Sequence, residues 1–331
     1  MTPTQQDASH NPFRKYKVGK LGKITSETAL AQMENGRVGR AAPPTRAPAL
    51  AFDRAACQAR AMMSPAELRI GIAGYGAIGR SLAAALDRGV PGLALSAIAS
   101  RDETRLRAAL PQGIAAASVR VTDLPGLADV IVECAPAAAL PSIAVPALEA
   151  GRTLVVLSCG ALLDNTHLVG LAERHGGRML VPSGALLGLD AVLAAAEGDI
   201  SSVVMTSRKP PAGLVGAPYL VRHGIELAGL REPFKVFEGS AREAARGFPA
   251  NVNVAVALSL AGIGPDRTRI AIWADPTITR NTHLIEVESD AARFSMRIEG
   301  VPSANPRTGR ITAQSVVALL RKLRAPLAVG T

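Results

Sequence analysis

From Leu68 onward, short apolar runs alternate with segments of helical spacing. Leu68–Ala73, Leu93–Ala99, Asp129–Glu133, Thr153–Ser158 and Arg178–Val181 are compact apolar runs, read as buried strands. Between them Arg80–Arg88, Arg101–Leu110, Leu140–Ala150 and Leu168–His175 carry helical spacing. Strands separated by helices predict a parallel sheet covered on both faces. Beyond about Ala191 the pattern changes. Ser201–Ser207 and Thr268–Ala274 are rich in β-branched residues, and His283–Glu288 and Arg293–Ile298 alternate. Strands so closely spaced predict a largely antiparallel sheet, with helices at Ser240–Arg246 and Val254–Leu260. Thr312–Leu323 is an amphipathic helix expected to return to the first sheet. The fold class read from this pattern is α/β. A Rossmann-type doubly wound domain (67–190, joined by helix 308–325) is followed by an α+β domain (191–307).

Residues 1–66 look different. They are rich in Thr, Gln, Pro, Lys and Arg, with weak periodicity, as expected of a basic, mostly disordered extension. Met62-Met63 stand just before the first strand, so a start at that point is an alternative origin of the extension. The extension carries a net +6 of the chain's +10, leaving +4 for the other 265 residues. Nucleic-acid binding is therefore not expected of the body, whose mild basicity suits small anionic ligands. Aromatics are only 3%, which argues against stacking platforms for single strands. Three scattered cysteines (Cys57, Cys134, Cys159) make neither a disulfide framework nor a zinc site. No uncharged apolar run approaches the roughly 18 residues of a membrane span, and no signal segment opens the chain. A cytoplasmic protein with no membrane partner and no metal is expected.

Gly74-Tyr-Gly76-Ala77-Ile78-Gly79 fits G-x-G-x-x-G directly after a strand and at a helix start, the setting that gives the motif meaning. The first glycine permits the turn, the second admits a pyrophosphate, and the third packs helix against strand. The cofactor expected is NAD or NADP. An acid about 20 residues on would bind the ribose of NAD. Here the second strand ends Ala99-Ser100-Arg101-Asp102, so Ser100 and Arg101 are candidates for a 2′-phosphate, unless Arg101 is an ordinary solvated residue.

Several further motifs recur in order. They are Val132-Glu-Cys-Ala135, Leu157-Ser-Cys-Gly-Ala161, Val181-Pro-Ser-Gly-Ala-Leu-Leu-Gly-Leu-Asp190, Ser207-Arg-Lys-Pro210 and Phe237-Glu-Gly-Ser-Ala-Arg-Glu-Ala-Ala245. Asn251-Val-Asn-Val-Ala255, Ala274-Asp-Pro276, Asn281-Thr-His283 and Ala304-Asn-Pro306 follow. With the glycine loop, they make residues 68–331 resemble the L-aspartate dehydrogenase family. That resemblance implies oxidative deamination of L-aspartate to oxaloacetate and ammonia with NAD or NADP, or the reverse amination. It also implies a homodimer and a setting in the supply of iminoaspartate for NAD biosynthesis.

The resemblance makes His283 the catalytic histidine. The residues point the same way, since imine hydration needs a proton carrier of near-neutral pKa and only His283 opens an alternating strand after a polar loop. A histidine bonded to a nearby carbonyl is the structural alternative. Asn253 and Ala185 match the family's nicotinamide contacts. An asparagine offers the donor and acceptor that a carboxamide needs, though Asn253 could instead cap its helix. Ala185 can offer only backbone. Aspartate brings two carboxylates, for which Arg208 or Lys209 is the expected cation, against a solvated basic turn. Asn281 is a polar partner of substrate or of His283, and Arg280 and Arg307 are further cations. Cys159 reads as a small buried side chain. Three other functions stay open: another amino- or oxo-acid substrate on the same fold, a non-catalytic NAD(P)-binding regulator, and nucleic-acid binding by the extension.

Overall fold

The computed structural model describes residues 67–330, apart from 112, 113, 115, 250, 251 and 302–308. The expected extension 1–66, Asn251, Ala304–Pro306 and Arg307 lie outside the described residues. Six strands, β1 (Leu68–Ala73), β2 (Leu93–Ala99), β3 (Ala117–Val119), β4 (Val130–Glu133), β5 (Thr153–Val156) and β6 (Arg178–Leu180), form one sheet in the order β3-β2-β1-β4-β5-β6. Every neighbouring pair is parallel. The order reverses between β1 and β4, which opens a crevice beyond the carboxyl ends of those strands.

The helices of this lobe are α1 (Ala77–Asp87), α2 (Glu103–Ala109), the short α3 (Leu124–Leu127), α4 (Leu140–Glu149), the single turn α5 (Cys159–Leu162) and α6 (His167–His175). Alternation along the strands splits the core in two. Ile70, Ile72, Ile98, Val130, Val132 and Val155 pack with α1 on one face. Ala73, Ala97, Ala99, Ile131, Leu154 and Val156 pack with α4 and α6 on the other. Pro146 sits inside α4. The predicted helix at Arg101 starts only at Glu103, because Asp102 accepts from Arg105 N at 2.8 Å and caps it.

The second lobe carries α7 (Leu189–Ala195), β7 (Ile200–Lys209), α8 (Pro218–Arg222), β8 (Phe234–Ser240), α9 (Ala241–Gly247), α10 (Asn253–Ala261), β9 (Arg269–Ala274), β10 (Asn281–Ser289) and β11 (Arg293–Gly300). Its five strands run β11-β10-β7-β9-β8. Three pairings are antiparallel, while β7 and β9 are parallel. Val203, Met205, Ile270, Ile272, Ile285 and Val287 share a core with Phe248, Ala255 and Leu258. Strand β7 is longer than predicted, so Arg208 and Lys209 belong to the sheet and not to a following loop. Ser240 caps α9 in a reciprocal capping box with Glu243.

The last helix, α11 (Ile311–Lys322), packs against α1. Val316 and Leu320 are fully buried in the first lobe's core. Truncating Leu320 leaves a cavity where α11 meets α1, so Leu320→Ala is expected to lower unfolding stability by about 2–5 kcal/mol, measured by urea denaturation.

Candidate active site

The glycine loop is shaped by its backbone. Gly74 has φ +105° and lies where a Cβ would come 2.6 Å from the Cys134 carbonyl oxygen. Its N–H donates to Ala99 O at 2.8 Å, fixing the loop to the end of β2. A Cβ on Gly79 would collide with the Gly74 carbonyl oxygen. Gly76 is different: its φ of −79° suits any residue, and a Cβ there would meet nothing within 4 Å. Glycine at 76 thus answers no demand of the fold. It keeps open the space above the first turn of α1, where amides of Ala77 and Ile78 face outward at the positive end of the helix. That arrangement fits a dinucleotide pyrophosphate. At the end of β2, Ser100 is half-buried and Arg101 exposed, and Asp102 is engaged in capping α2.

Beside this crevice Glu133 ends β4, fully buried. It accepts from Ala135 N (2.9 Å), Leu157 N (3.1 Å), Ser158 N (2.8 Å) and Ser158 Oγ (3.1 Å). Burial pushes its pKa up, and these four donors pull it back. It clamps together the loops leaving β4 and β5. The resemblance motif contained this residue but gave it no role. The signal available was an acid closing an otherwise apolar strand. The turn after β5 then meets the second lobe: Gly160 N donates to Asn253 Oδ1 at 3.1 Å. Val252, not Asn253, is the N-cap of α10, so the capping alternative for Asn253 is corrected. Cys159, Leu163, Val256 and Ala257 form a small apolar cluster at the same junction. Burial raises the Cys159 thiol to about 12, which leaves it protonated and inert. Ala185 is half-buried next to Gly184, whose φ is +63° and whose N–H donates to Ser315 Oγ of α11 at 3.1 Å.

In the second lobe, residue parity sorts the candidates. His283 stands opposite Ser207 in the β7–β10 ladder, and Thr282 opposite Arg208. Asn281 and Lys209 follow one step along. Side chains alternate across a strand, so Ser207, Lys209, Asn281 and His283 share the helix-covered face. Arg208 is on the other face, where its guanidinium pairs with Asp275 at 3.2 Å and lies 4.9 Å from the centre of the Trp273 ring. The structure therefore gathers Lys209, Asn281 and His283, and sets Arg208 apart from them. Arg280 precedes β10 and is exposed.

His283 is 4% exposed and is the third residue of its strand, not the first. Its Nδ1 has no hydrogen-bond partner, so the alternative of a carbonyl-bonded histidine is not what forms. Burial first, and the Lys209 charge second, lower its pKa to about 3. The expectation of a near-neutral pKa is corrected: burial and a neighbouring cation keep the imidazole neutral. Lys209, 3% exposed, is lowered by burial to about 8.

Comparison with known proteins identifies the family. Residues 190–323 match the family model described as aspartate dehydrogenase, C-terminal, and residues 74–182 match homoserine dehydrogenase, NAD binding domain. An L-aspartate dehydrogenase of Bradyrhizobium diazoefficiens is 60% identical over 80% of this chain and 95% of its own length. L-aspartate dehydrogenase 3 of Bordetella bronchiseptica is 57% identical over 82% of this chain and all of its own. The chain belongs to the L-aspartate dehydrogenase family. A crystal structure of the aspartate dehydrogenase from Thermotoga maritima, 24% identical, superposes with a TM-score of 0.63 over 80% of this chain and all of that one, which supports the fold. Among the described residues, no helix is long and apolar enough to cross a membrane.

Because Gly76 is free of steric demand in the protein itself, Gly76→Ala is expected to leave the thermal midpoint within about 1 °C, since surface changes are near neutral. It should weaken NAD(P)H binding at least tenfold by fluorescence titration, as roughly 1.4 kcal/mol of pyrophosphate contact is lost. Gly79→Ala, by contrast, should destabilise the fold.

Proposed function

We propose that this protein is an NAD(P)-dependent L-aspartate dehydrogenase, interconverting L-aspartate with oxaloacetate and ammonia through iminoaspartate. The observation that carries the reading is the buried face holding Lys209, Asn281 and His283, in a chain of this family with a glycine loop built for a dinucleotide. Gly74, Gly76, Ala77, Ile78 and Gly79 hold the pyrophosphate, and Asn253 and the Ala185 backbone orient the nicotinamide. When bound, the nicotinamide supplies the hydride acceptor for C2 of aspartate. NADP is accepted beside NAD, because Asp102 caps α2 while Arg101 and Ser100 remain for a 2′-phosphate.

Lys209 holds a substrate carboxylate, and Asn281 hydrogen-bonds beside it. A water oxygen then bonds to C2 of the protonated imine, the C=N π pair moves to nitrogen, and His283 takes one proton of that water. His283 returns this proton to the amine nitrogen of the carbinolamine. The C–N bond then breaks with its electron pair leaving on ammonia, the hydroxyl O–H pair forms the carbonyl, and the hydroxyl proton passes to His283 and on to solvent. Carboxylate binding also removes part of the cause of His283's low basicity, because it neutralises the Lys209 charge. The substrate thus raises the basicity of the group that acts on it.

The decisive assay is reduction of NAD(P) by L-aspartate, with NAD(P)H oxidation by oxaloacetate and ammonia as the reverse. Turnover in neither direction overturns the reading, and faster turnover of another amino acid moves it to that substrate. His283→Ala should lower kcat by roughly 10²–10⁴-fold, the usual worth of a proton-transfer group. Lys209 is cationic below about 8, so succinate, which has two carboxylates and no amine, should bind progressively more weakly above that pH. In Lys209→Met the affinity should be low and flat with pH, as titration calorimetry would show.

The working form we infer is a homodimer in the cytoplasm, feeding NAD biosynthesis. Two free thiols, half-buried Cys134 and buried Cys159, support a reducing setting. Sedimentation at micromolar concentration should give the mass of two chains.

A further inference from the structure

Two buried polar atoms at the site lack a hydrogen-bond partner, and they belong to directly opposed residues. Ser207 Oγ and His283 Nδ1 are both shielded from solvent and both unbonded. Ser207 and His283 are register partners across β7 and β10. Opposed residues in an antiparallel pair have Cβ atoms about 4.5–5.5 Å apart. An Oγ one bond beyond its Cβ and an Nδ1 two bonds beyond its own can meet by side-chain rotation alone.

The fold gives no other reason for a hydroxyl at 207. That face of β7 reads Val203, Met205, Ser207, Lys209, and the Ser207 hydroxyl makes no hydrogen bond within it. A buried donor or acceptor left unmet costs about 1–3 kcal/mol, and two in contact range call for an explanation. Around His283 the charged group acting on it is Lys209 on β7, while its register partner on β11, Ile298, is apolar. The serine hydroxyl, directly opposed to His283, is neutral and can either donate or accept, so it can engage the imidazole without adding charge.

We propose that Ser207 is the positioning residue for His283: its Oγ accepts Nδ1–H, which leaves the lone pair on Nε2 to take a proton from the water that adds to the imine. This deepens the dehydrogenase reading and rests on it for the identity of the step. A protonated Nδ1 and a basic Nε2 are one tautomer of a neutral ring, so the hydrogen bond selects the catalytically useful form without forming an imidazolium. After the imidazole gains its proton, the same Oγ still accepts from Nδ1–H, so nothing rearranges during transfer.

The test uses the full chain with NADP bound. Ser207→Ala should lower kcat at least about tenfold, a part of the 10²–10⁴ that a proton-transfer group contributes. KM for L-aspartate and NADPH affinity should stay near wild type, the latter reporting that the variant is folded. Ser207→Thr, which keeps the hydroxyl, should restore most of the loss. In ¹⁵N-labelled enzyme, two-bond ¹H–¹⁵N correlations, with His283→Gln identifying the signals, should show an Nδ1–H tautomer in wild type and a shift toward Nε2–H in Ser207→Ala. Wild-type kcat in Ser207→Ala, or a tautomer untouched by the substitution, overturns the proposal. Should the wild-type enzyme fail to turn over aspartate, the dehydrogenase reading falls, and the nitrogen spectrum alone still decides whether Ser207 sets the ring.

Discussion

Pairing of two antiparallel strands, β7 and β10, is the constraint on which the site depends. Side chains along a strand alternate strictly between faces. The ladder that sets His283 against Ser207 therefore sends Ser207, Lys209, Asn281 and His283 to the covered face and Arg208 to the other. A slip of one residue would turn the slipped strand's side chains to the opposite face. Val203 and Met205 on β7, and Ile285 and Val287 on β10, make that slip costly, since it would turn the slipped strand's apolar pair out of the core. The same packing that builds the lobe's core thus fixes which polar groups share the covered face.

Burial then determines their charge. Lys209 and His283 share a face from which water is largely excluded, and the ammonium disfavours a second positive charge beside it. That face consequently holds a cation beside a neutral imidazole. On the first lobe the balance is reversed. A single carboxylate, Glu133, is surrounded by N–H and O–H donors and holds two strand ends together. Among the described residues, the buried charges are Glu133 in the first lobe and Lys209 and Asp275 in the second, and the Gly160–Asn253 hydrogen bond joins the turn after β5 to α10.

Much of this was legible in the chain. The strand–glycine–helix pattern gave the parallel sheet, and the β-branched runs gave most of the second. The parallel pairing of β7 with β9 was not readable, because periodicity carries no information on which strands become neighbours. Strand β8 escaped notice as an edge strand with an irregular register near Lys235. Among site residues, His283 and Lys209 were visible by type, but their pKa values were not, since burial depends on packing from distant segments. Arg208 and Lys209 are adjacent and alike in sequence; only strand parity separates them. Ser207 and Glu133 lie inside the family-like motifs, yet the residues they face are 76 and 25 positions away along the chain (His283 and Ser158).

The return of α11 to α1 has a consequence for the chain's architecture. The polypeptide builds the nucleotide lobe, departs to make the second lobe, and comes back to finish the first. The second lobe is in effect an insert within the first, tethered at both ends. Such double tethering removes free rotation about a single linker, because the two lobes are joined through the chain twice. It also means that no single cut between them liberates either as a whole body.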